Sequence, residues 1–248
     1  MSLTKEAINY LMEQGIQPEE RLINFDNDER WLVINNNGDA KEILPRVFLA
    51  DPLEINTLSG LVNYIKANLD RTDNKLIAHI KDESTVYLKG LLELDGSREQ
   101  LAIARAIVPD FPFDRFIDSE EFVISFQSKF VKNEGRDILL KVMGNVAEEN
   151  VKAVGDDGVS QSVEIRQGVA TKAEVLVPNP VTLAPYRTFL EVEQPESQFV
   201  FRMKEGPRGA IFEADGGAWR NQAIVNIREY LVGALEEEIN NGRITILA

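Results

Sequence analysis

The chain has no cysteine among its 248 residues. That excludes disulfides, thiol nucleophiles, iron–sulfur clusters and every zinc site built on thiolates. It has a single histidine, His79, so two-histidine metal motifs are excluded as well. Any bound metal would be a hard cation held by carboxylates and carbonyls. No stretch approaches the ~18 uninterrupted apolar residues of a membrane span. The opening residues MSLTKEAINYLMEQ mix acids with apolar positions and show no small-residue cleavage site, so no secretory signal is expected. GxxxxGK[ST], GxGxxG after a strand, and GxSxG are all missing. Low-complexity tracts and internal repeats are missing too.

What the chain does have is acid. Its 41 Asp and Glu outnumber 27 Lys and Arg, for a formal charge of −14. Without a Lys/Arg run to offset it, this charge disfavours nucleic acid as a partner. The ordinary reading is solubility; a sharper one is a mimic of the DNA surface aimed at host nucleic-acid proteins. The expected location is the cytoplasm, with no membrane partner.

Periodicity supplies the elements. Thr4–Gln14 predicts a short helix with Ile8, Leu11 and Met12 on one side. RLINF (Arg21–Phe25) and RWLVI (Arg30–Ile34) read as strands, followed by a turn at Asn36-Asn37-Gly38. Thr57 can cap a helix carrying Leu58, Leu61, Val62, Ile65 and Leu69. LIAHI (Leu76–Ile80) and TVYLKGLLEL (Thr85–Leu94) predict a hairpin. Alternation puts His79 beside Ile77 and opposite Leu76, Ala78 and Ile80; a lone histidine there reads as structural. Ser97 with Gln100 is a capping-box pattern that predicts a helix over LAIARAIV, broken by Pro109 and Pro112. Asp118 or Ser119 starts another helix, with Phe122, Val123, Phe126 and Phe130 on one face. DILLKVMGNV fits a helix or a strand equally.

From Asn150 the period turns to two. VSQSVEIRQ, AEVLV, RTFLEV, QFVFRM and GAIFEA read as strands of a meander. Gly216-Gly217 leads into a helix with Trp219, Ala223, Ile224, Ile227, Leu231 and Leu235, closed by Gly242. RITILA ends as a strand. Helices and strands are partly segregated, so the fold class is α+β, an antiparallel sheet or meander in the C-terminal half packed with amphipathic helices. The expected organisation is a small helix-plus-hairpin segment at 1–50, a mixed α/β region at 51–134 and a β-rich meander with C-terminal helix and strand at 135–248. The last two could form one continuous domain.

Three phrases are distinctive: VGDDGVSQ (Val154–Gln161), VPNPVTLAPYRTFLEVEQPESQFVFRM (Val177–Met203) and FEADGGAW (Phe212–Trp219). Through them the chain resembles an uncharacterised family of phage and prophage proteins, the YfdQ-like family of unknown function, from about Pro52 to Ala248. The resemblance implies a protein made inside an infected or lysogenic bacterium. It implies no reaction, cofactor or catalytic residue.

Candidate sites follow from residue chemistry. Gly155-Asp156-Asp157-Gly158 suits a tight turn better than a metal site, because adjacent strand residues point opposite ways. Asp215-Gly216-Gly217 before a helix, with Arg220 in the first turn, could bind an anion, or Asp215 could cap the helix itself. RTFLEV and QFVFRM, paired through Pro195–Ser197, would bring acids opposite bases. A cleft there, with Tyr186, Arg187, Arg202 and Arg208, could take a nucleotide-like anion. Pro178-Asn179-Pro180 with Pro185 predicts a stiff crossing, either a connection between sheets or an arm on a neighbouring subunit. That arm and the apolar N-terminal helix would suit a homo-oligomer. The functional expectation is a cytoplasmic accessory protein that binds a host protein or small anionic ligand, with counter-defence as one use. A replication or recombination factor is the first alternative. The second is a metal-dependent hydrolase using Asp156, Asp157, Glu213 and Asp215.

Overall fold

The structure is a computed structural model that describes residues 22–25, 30–34, 40–43, 50–70, 74–93, 96–148, 154–156, 161–167, 171–176, 179–204 and 208–248. The predicted helix at Thr4–Gln14, the Asn36–Gly38 turn and Asp157-Gly158 lie outside them. The chain divides into two compact units, Met1–Asp51 with Leu91–Glu99, and Pro52–Gly90 with Gln100–Ala248. In the first, β1 (Leu22–Phe25), β2 (Arg30–Ile34) and β3 (Ala40–Ile43) form an antiparallel sheet in that order.

The second unit is α+β. It begins with β4 (Leu53–Ile55) and α1 (Leu58–Ala67). Thr57 caps α1 by accepting from Gly60 N–H at 3.0 Å, as its position predicts. Asn68, in the left-handed region at φ 45°, ends the helix. Leu69 therefore falls beyond the apolar stripe and is 67% exposed, contrary to the periodicity. The strands β5 (Leu76–Asp82) and β6 (Thr85–Leu92) form the predicted antiparallel hairpin.

The LAIARAIV segment is not a helix. It supplies most of strand β7 (Arg98–Arg105), parallel to β4 and next to β6 in the sheet. Ala102, Ile103 and Ala104 are buried in succession. A strand covered on both sides reads as a continuous apolar run, which periodicity alone confuses with a helix.

Next come β8 (Ile117–Asp118), α2 (Ser119–Lys129) and α3 (Glu134–Glu148), which settles DILLKVMGNV as helix. Asp118 caps α2 through Glu121 N–H at 2.9 Å. The C-terminal half adds β9 (Val154–Asp156), β10 (Gln161–Gln167) and β11 (Thr171–Leu176), a small antiparallel sheet in the order β11-β10-β9. After it, β12 (Val181–Leu183), β13 (Ser197–Lys204) and β14 (Arg208–Glu213) join β8 in an antiparallel sheet ordered β12-β13-β14-β8. Helix α4 (Trp219–Ala234), short α5 (Glu236–Asn240) and β15 (Ile244–Leu247) finish the chain. Gly242, at φ 75°, follows α5 rather than α4 directly. β15 returns to pair parallel with β5, completing a five-stranded sheet ordered β15-β5-β6-β7-β4.

Among the described residues, two buried clusters form the core. Under the five-stranded sheet, Leu61 and Ile65 of α1 meet Ile227 and Leu231 of α4, with Ala78, Leu88 and Ala104 from the strands. Beside the four-stranded sheet, Phe122, Phe126 and Phe130 stack along one side of α2, at centroid separations of 4.1 and 4.2 Å. Gly135 lets the start of α3 press on β12, since a Cβ there would lie 2.2 Å from Thr182 O.

A second correction concerns RTFLEV. Residues 184–196 lie outside every strand, and the neighbours of β13 are β12 and β14. The supposed acid–base pairing of RTFLEV with QFVFRM therefore does not exist. The alternation is broken because Arg187, Thr188 and Phe189 are buried consecutively. Asn179 is tied to β13: its side chain accepts from Phe201 N–H at 2.9 Å and donates to Phe201 O at 3.1 Å.

Candidate functional site at the head of helix α4

The irregular segment owes its shape to one amide. Gln194 Oε1 accepts from the N–H groups of Arg187 (2.9 Å) and Thr188 (3.2 Å), and its Nε2 donates to the carbonyls of Phe189 (2.9 Å) and Val192 (3.2 Å). A buried stretch without secondary structure needs such partners for its backbone groups. Satisfied in this way, the segment can run through the interior and carry Arg187 with it.

Arg187 is 8% exposed. Its guanidinium donates to Glu213 Oε1 at 2.9 Å, Ser197 Oγ at 2.7 Å and Pro195 O at 3.4 Å. Glu213 is available because β13–β14 register sets it opposite Phe199, on the face that also carries Phe201 and Ile211. Burial pushes the Arg187 pKa down to about 10; the charges of Glu213 and Asp215 oppose that shift, and Arg220 adds to it.

Trp219, at the start of α4, joins this ion pair to the surface. The Arg187 guanidinium carbon lies 3.8 Å from its ring centroid and that of Arg220 lies 4.7 Å away. Arg187 is buried, whereas the Arg220 side chain is 49% exposed and reaches Glu83 only at 3.6 Å. Gly217, at φ 83°, leaves room for Arg220, because a Cβ there would stand 2.6 Å from Arg220 Nη1. Asp215 accepts from Gly217 N–H at 3.0 Å and Trp219 N–H at 3.3 Å. Its carboxylate thus occupies the helix start, where an external anion would otherwise meet free N–H groups.

Of the residues singled out from sequence, Arg187, Glu213, Asp215, Gly217 and Arg220 come together here, with Gly216 alongside at φ 63°. Tyr186 is half-buried and donates its N–H to Lys129 O. Arg202 alternates onto the face of β13 away from Phe199 and Phe201, and Arg208 is exposed at the start of β14, in register with Lys204. No single cleft gathers all four of Tyr186, Arg187, Arg202 and Arg208. Among the described residues no three His, Asp or Glu side chains converge as a metal site.

Sequence reasoning missed Gln194 and Trp219 as members of the site, and it offered Glu213 only as a metal-binding carboxylate. Glu213 carried a signal, since a carboxylate on the apolar side of an alternating strand demands a cationic partner. Nothing local marked Gln194, whose four partners are backbone groups of a non-repeating segment.

No family model matches the chain, and no curated protein or solved structure matches it either.

Proposed function

We propose that this chain is a phage- or prophage-encoded accessory protein that acts in the bacterial cytoplasm by binding rather than by catalysis. Its partner at the head of α4 is an anionic group, on a small ligand or on a host protein. Counter-defence, by blocking a host enzyme or sequestering a nucleotide signal, is the use that fits the phage-like resemblance. The exposed Arg220 guanidinium, held over Trp219 beside Gly216-Gly217, carries this reading. A planar guanidinium resting on an aromatic ring is preorganised for a carboxylate or phosphate. The residues that build this head, Arg187, Gln194, Ser197, Glu213, Asp215 and Trp219, also all fall within the phrases that carry the resemblance.

Catalysis by the acids here is disfavoured by their engagement. Glu213 is bound to Arg187, and Asp215 caps the entry to α4. The test is native mass spectrometry of protein purified from its bacterial host, repeated under denaturing conditions. Extra mass of nucleotide size that is lost on denaturation, and absent from Arg220→Ala, is the expected result. The same spectra read the subunit number, for which we propose a homo-oligomer. Identical spectra with and without Arg220 would remove the assignment to this site.

A further inference from the structure

The five-stranded sheet buries one face against α1 and α4, and its other face carries a different chemistry. The strand register sets Leu247 of β15 beside His79 of β5, and His79 beside Tyr87 of β6. This makes a row of an aliphatic, an imidazole and a phenol across three neighbouring strands. Leu247 is 48% exposed, and His79 and Tyr87 are half-exposed. The His79 and Tyr87 ring centroids are 6.1 Å apart. Two ammonium groups flank the phenol ring: Lys89 Nζ lies 4.8 Å from its centroid and Lys81 Nζ 5.6 Å away. Arg105, exposed at the end of β7, lies one residue past the buried Ala104 and so alternates onto this same side.

We propose that this sheet face binds single-stranded nucleic acid, with a base stacked on Tyr87 and the flanking phosphates held by Lys81 and Lys89. Three observations support that occupant. First, among the described residues neither lysine forms a salt bridge. Second, the acids of the adjoining turn have partners in the turn and beyond it: Asp82 accepts from Ser84 N–H and Oγ, and Glu83 faces Arg220. The strip around Tyr87 thus sets Lys81, Lys89 and Arg105 against the ionised Asp82, an excess of positive charge on a chain of net charge −14. Third, an aromatic ring between cations on the outer side of a hairpin is the chemistry that holds unpaired bases, because every base has a stacking face and every linkage a phosphate. Duplex DNA offers no unstacked base to such a ring. An acidic protein surface offers charge but nothing for Tyr87 to stack on. The site is separate from the head of α4; the one residue they share is Glu83, which faces Arg220.

The experiment is fluorescence anisotropy of a labelled oligothymidylate of about 15 nucleotides, titrated with the full chain and compared with a duplex of equal length. Binding to the single strand should exceed binding to the duplex and should weaken steeply between ~50 and ~200 mM salt. Tyr87→Ala should lose about tenfold in affinity, and Tyr87→Phe should retain most of it, because the ring rather than the hydroxyl stacks. Lys81→Gln with Lys89→Gln should weaken binding and flatten the salt dependence. These two exposed or half-exposed side chains leave the core untouched, so the double variant tests the proposal even if Tyr87→Ala fails to fold. No binding by the unaltered chain at low salt would overturn the proposal. So would equal affinity for the duplex, or binding indifferent to both variants. An oligomer that dissociates in the lysine variant, without any oligonucleotide bound, would assign the face to a second copy and also overturn it.

Discussion

The core under the five-stranded sheet is aliphatic, whereas the core beside the four-stranded sheet is a ladder of phenylalanine rings. In the first, α1 and α4 supply Leu61, Ile65, Ile227 and Leu231 to strands lined by Ala78, Ala102 and Ala104. Small strand residues let two helices sit close, and branched side chains fill the gaps. In the second, α2 places Phe122, Phe126 and Phe130 at intervals of four residues. Phe111 meets the last two rings edge-on, at 5.7 and 5.0 Å, and Phe201 meets Phe122 at 5.8 Å. Ring geometry adds a directional component that aliphatic packing lacks. The two halves are joined by residues 184–196. Phe189 enters the aliphatic core, Arg187 lies 5.6 Å from the Phe199 ring of the aromatic one, and Glu191 accepts from Ser59 N–H and Oγ at the start of α1. Thr188 Oγ1 donates to Glu83 O, and Asn226 of α4 donates to Glu193 O. The difference between the cores shows why the joining segment must be polar inside: it belongs fully to neither apolar cluster and has to satisfy its own backbone.

The contrast is broken most severely at Phe126. Phe126→Ala removes a fully buried ring stacked on two others and should cost about 4 kcal/mol. Leu231→Ala, at the centre of the aliphatic core, should cost about 3 kcal/mol. Urea unfolding midpoints would measure both, and equal losses would mean that the ring ladder adds nothing beyond volume. Gln194→Leu attacks the joint instead. It strands two N–H groups and two carbonyls in a buried segment, for a loss of about 3 kcal/mol. Because neither core is touched, Trp219 fluorescence, read in a Trp31→Phe background, and far-UV circular dichroism should then report separate transitions. Coincident curves would show that the halves are coupled by something other than this segment. A finer comparison uses the two helix caps. Thr57→Ala and Asp118→Ala should each cost about 1 kcal/mol, the first in the aliphatic half and the second in the aromatic half.

The parts of this architecture written in local chemistry were legible. Thr57 and Asp118 announced their helices because capping is a relation within three residues, and the hairpin announced itself through strict alternation in LIAHI and TVYL. LAIARAIV misled because Ala102–Ala104 is covered from both sides, so its period vanished and a chance Ser97–Gln100 spacing looked like a cap. RTFLEV misled for the opposite reason. It alternates as a strand would, yet a glutamine two residues past its end bends it into a polar-lined turn. The α4 head was half visible: Gly216-Gly217 and Arg220 stood out, while the place of Arg187 depends on that bend and on register with Glu213. The Tyr87 face was also within reach. His79, Lys81, Tyr87 and Lys89 recur at every second position along two arms already read as a hairpin, but net charge drew attention away from them.

The smallest expected effect tests whether the hairpin that presents Tyr87 is held by its turn. Burial alone would raise the Asp82 pKa, but hydrogen bonds from Ser84 N–H and from the side chains of Ser84 and Thr85, with the charge of Lys81, outweigh it and bring the carboxyl below 3.8. A carboxyl whose pKa is lower in the folded chain than in the unfolded one stabilises the fold above the unfolded value. That contribution disappears as pH falls through the folded value. The unaltered chain should therefore lose stability on acidification below about pH 4 more steeply than Asp82→Asn, and the two should differ by a constant amount near neutrality. Urea midpoints taken at pH 3 to 7 would give both slopes. Parallel curves would mean that the Ser84 hydrogen bonds persist equally in the unfolded chain, and that the β5–β6 turn is set before the sheet forms around it.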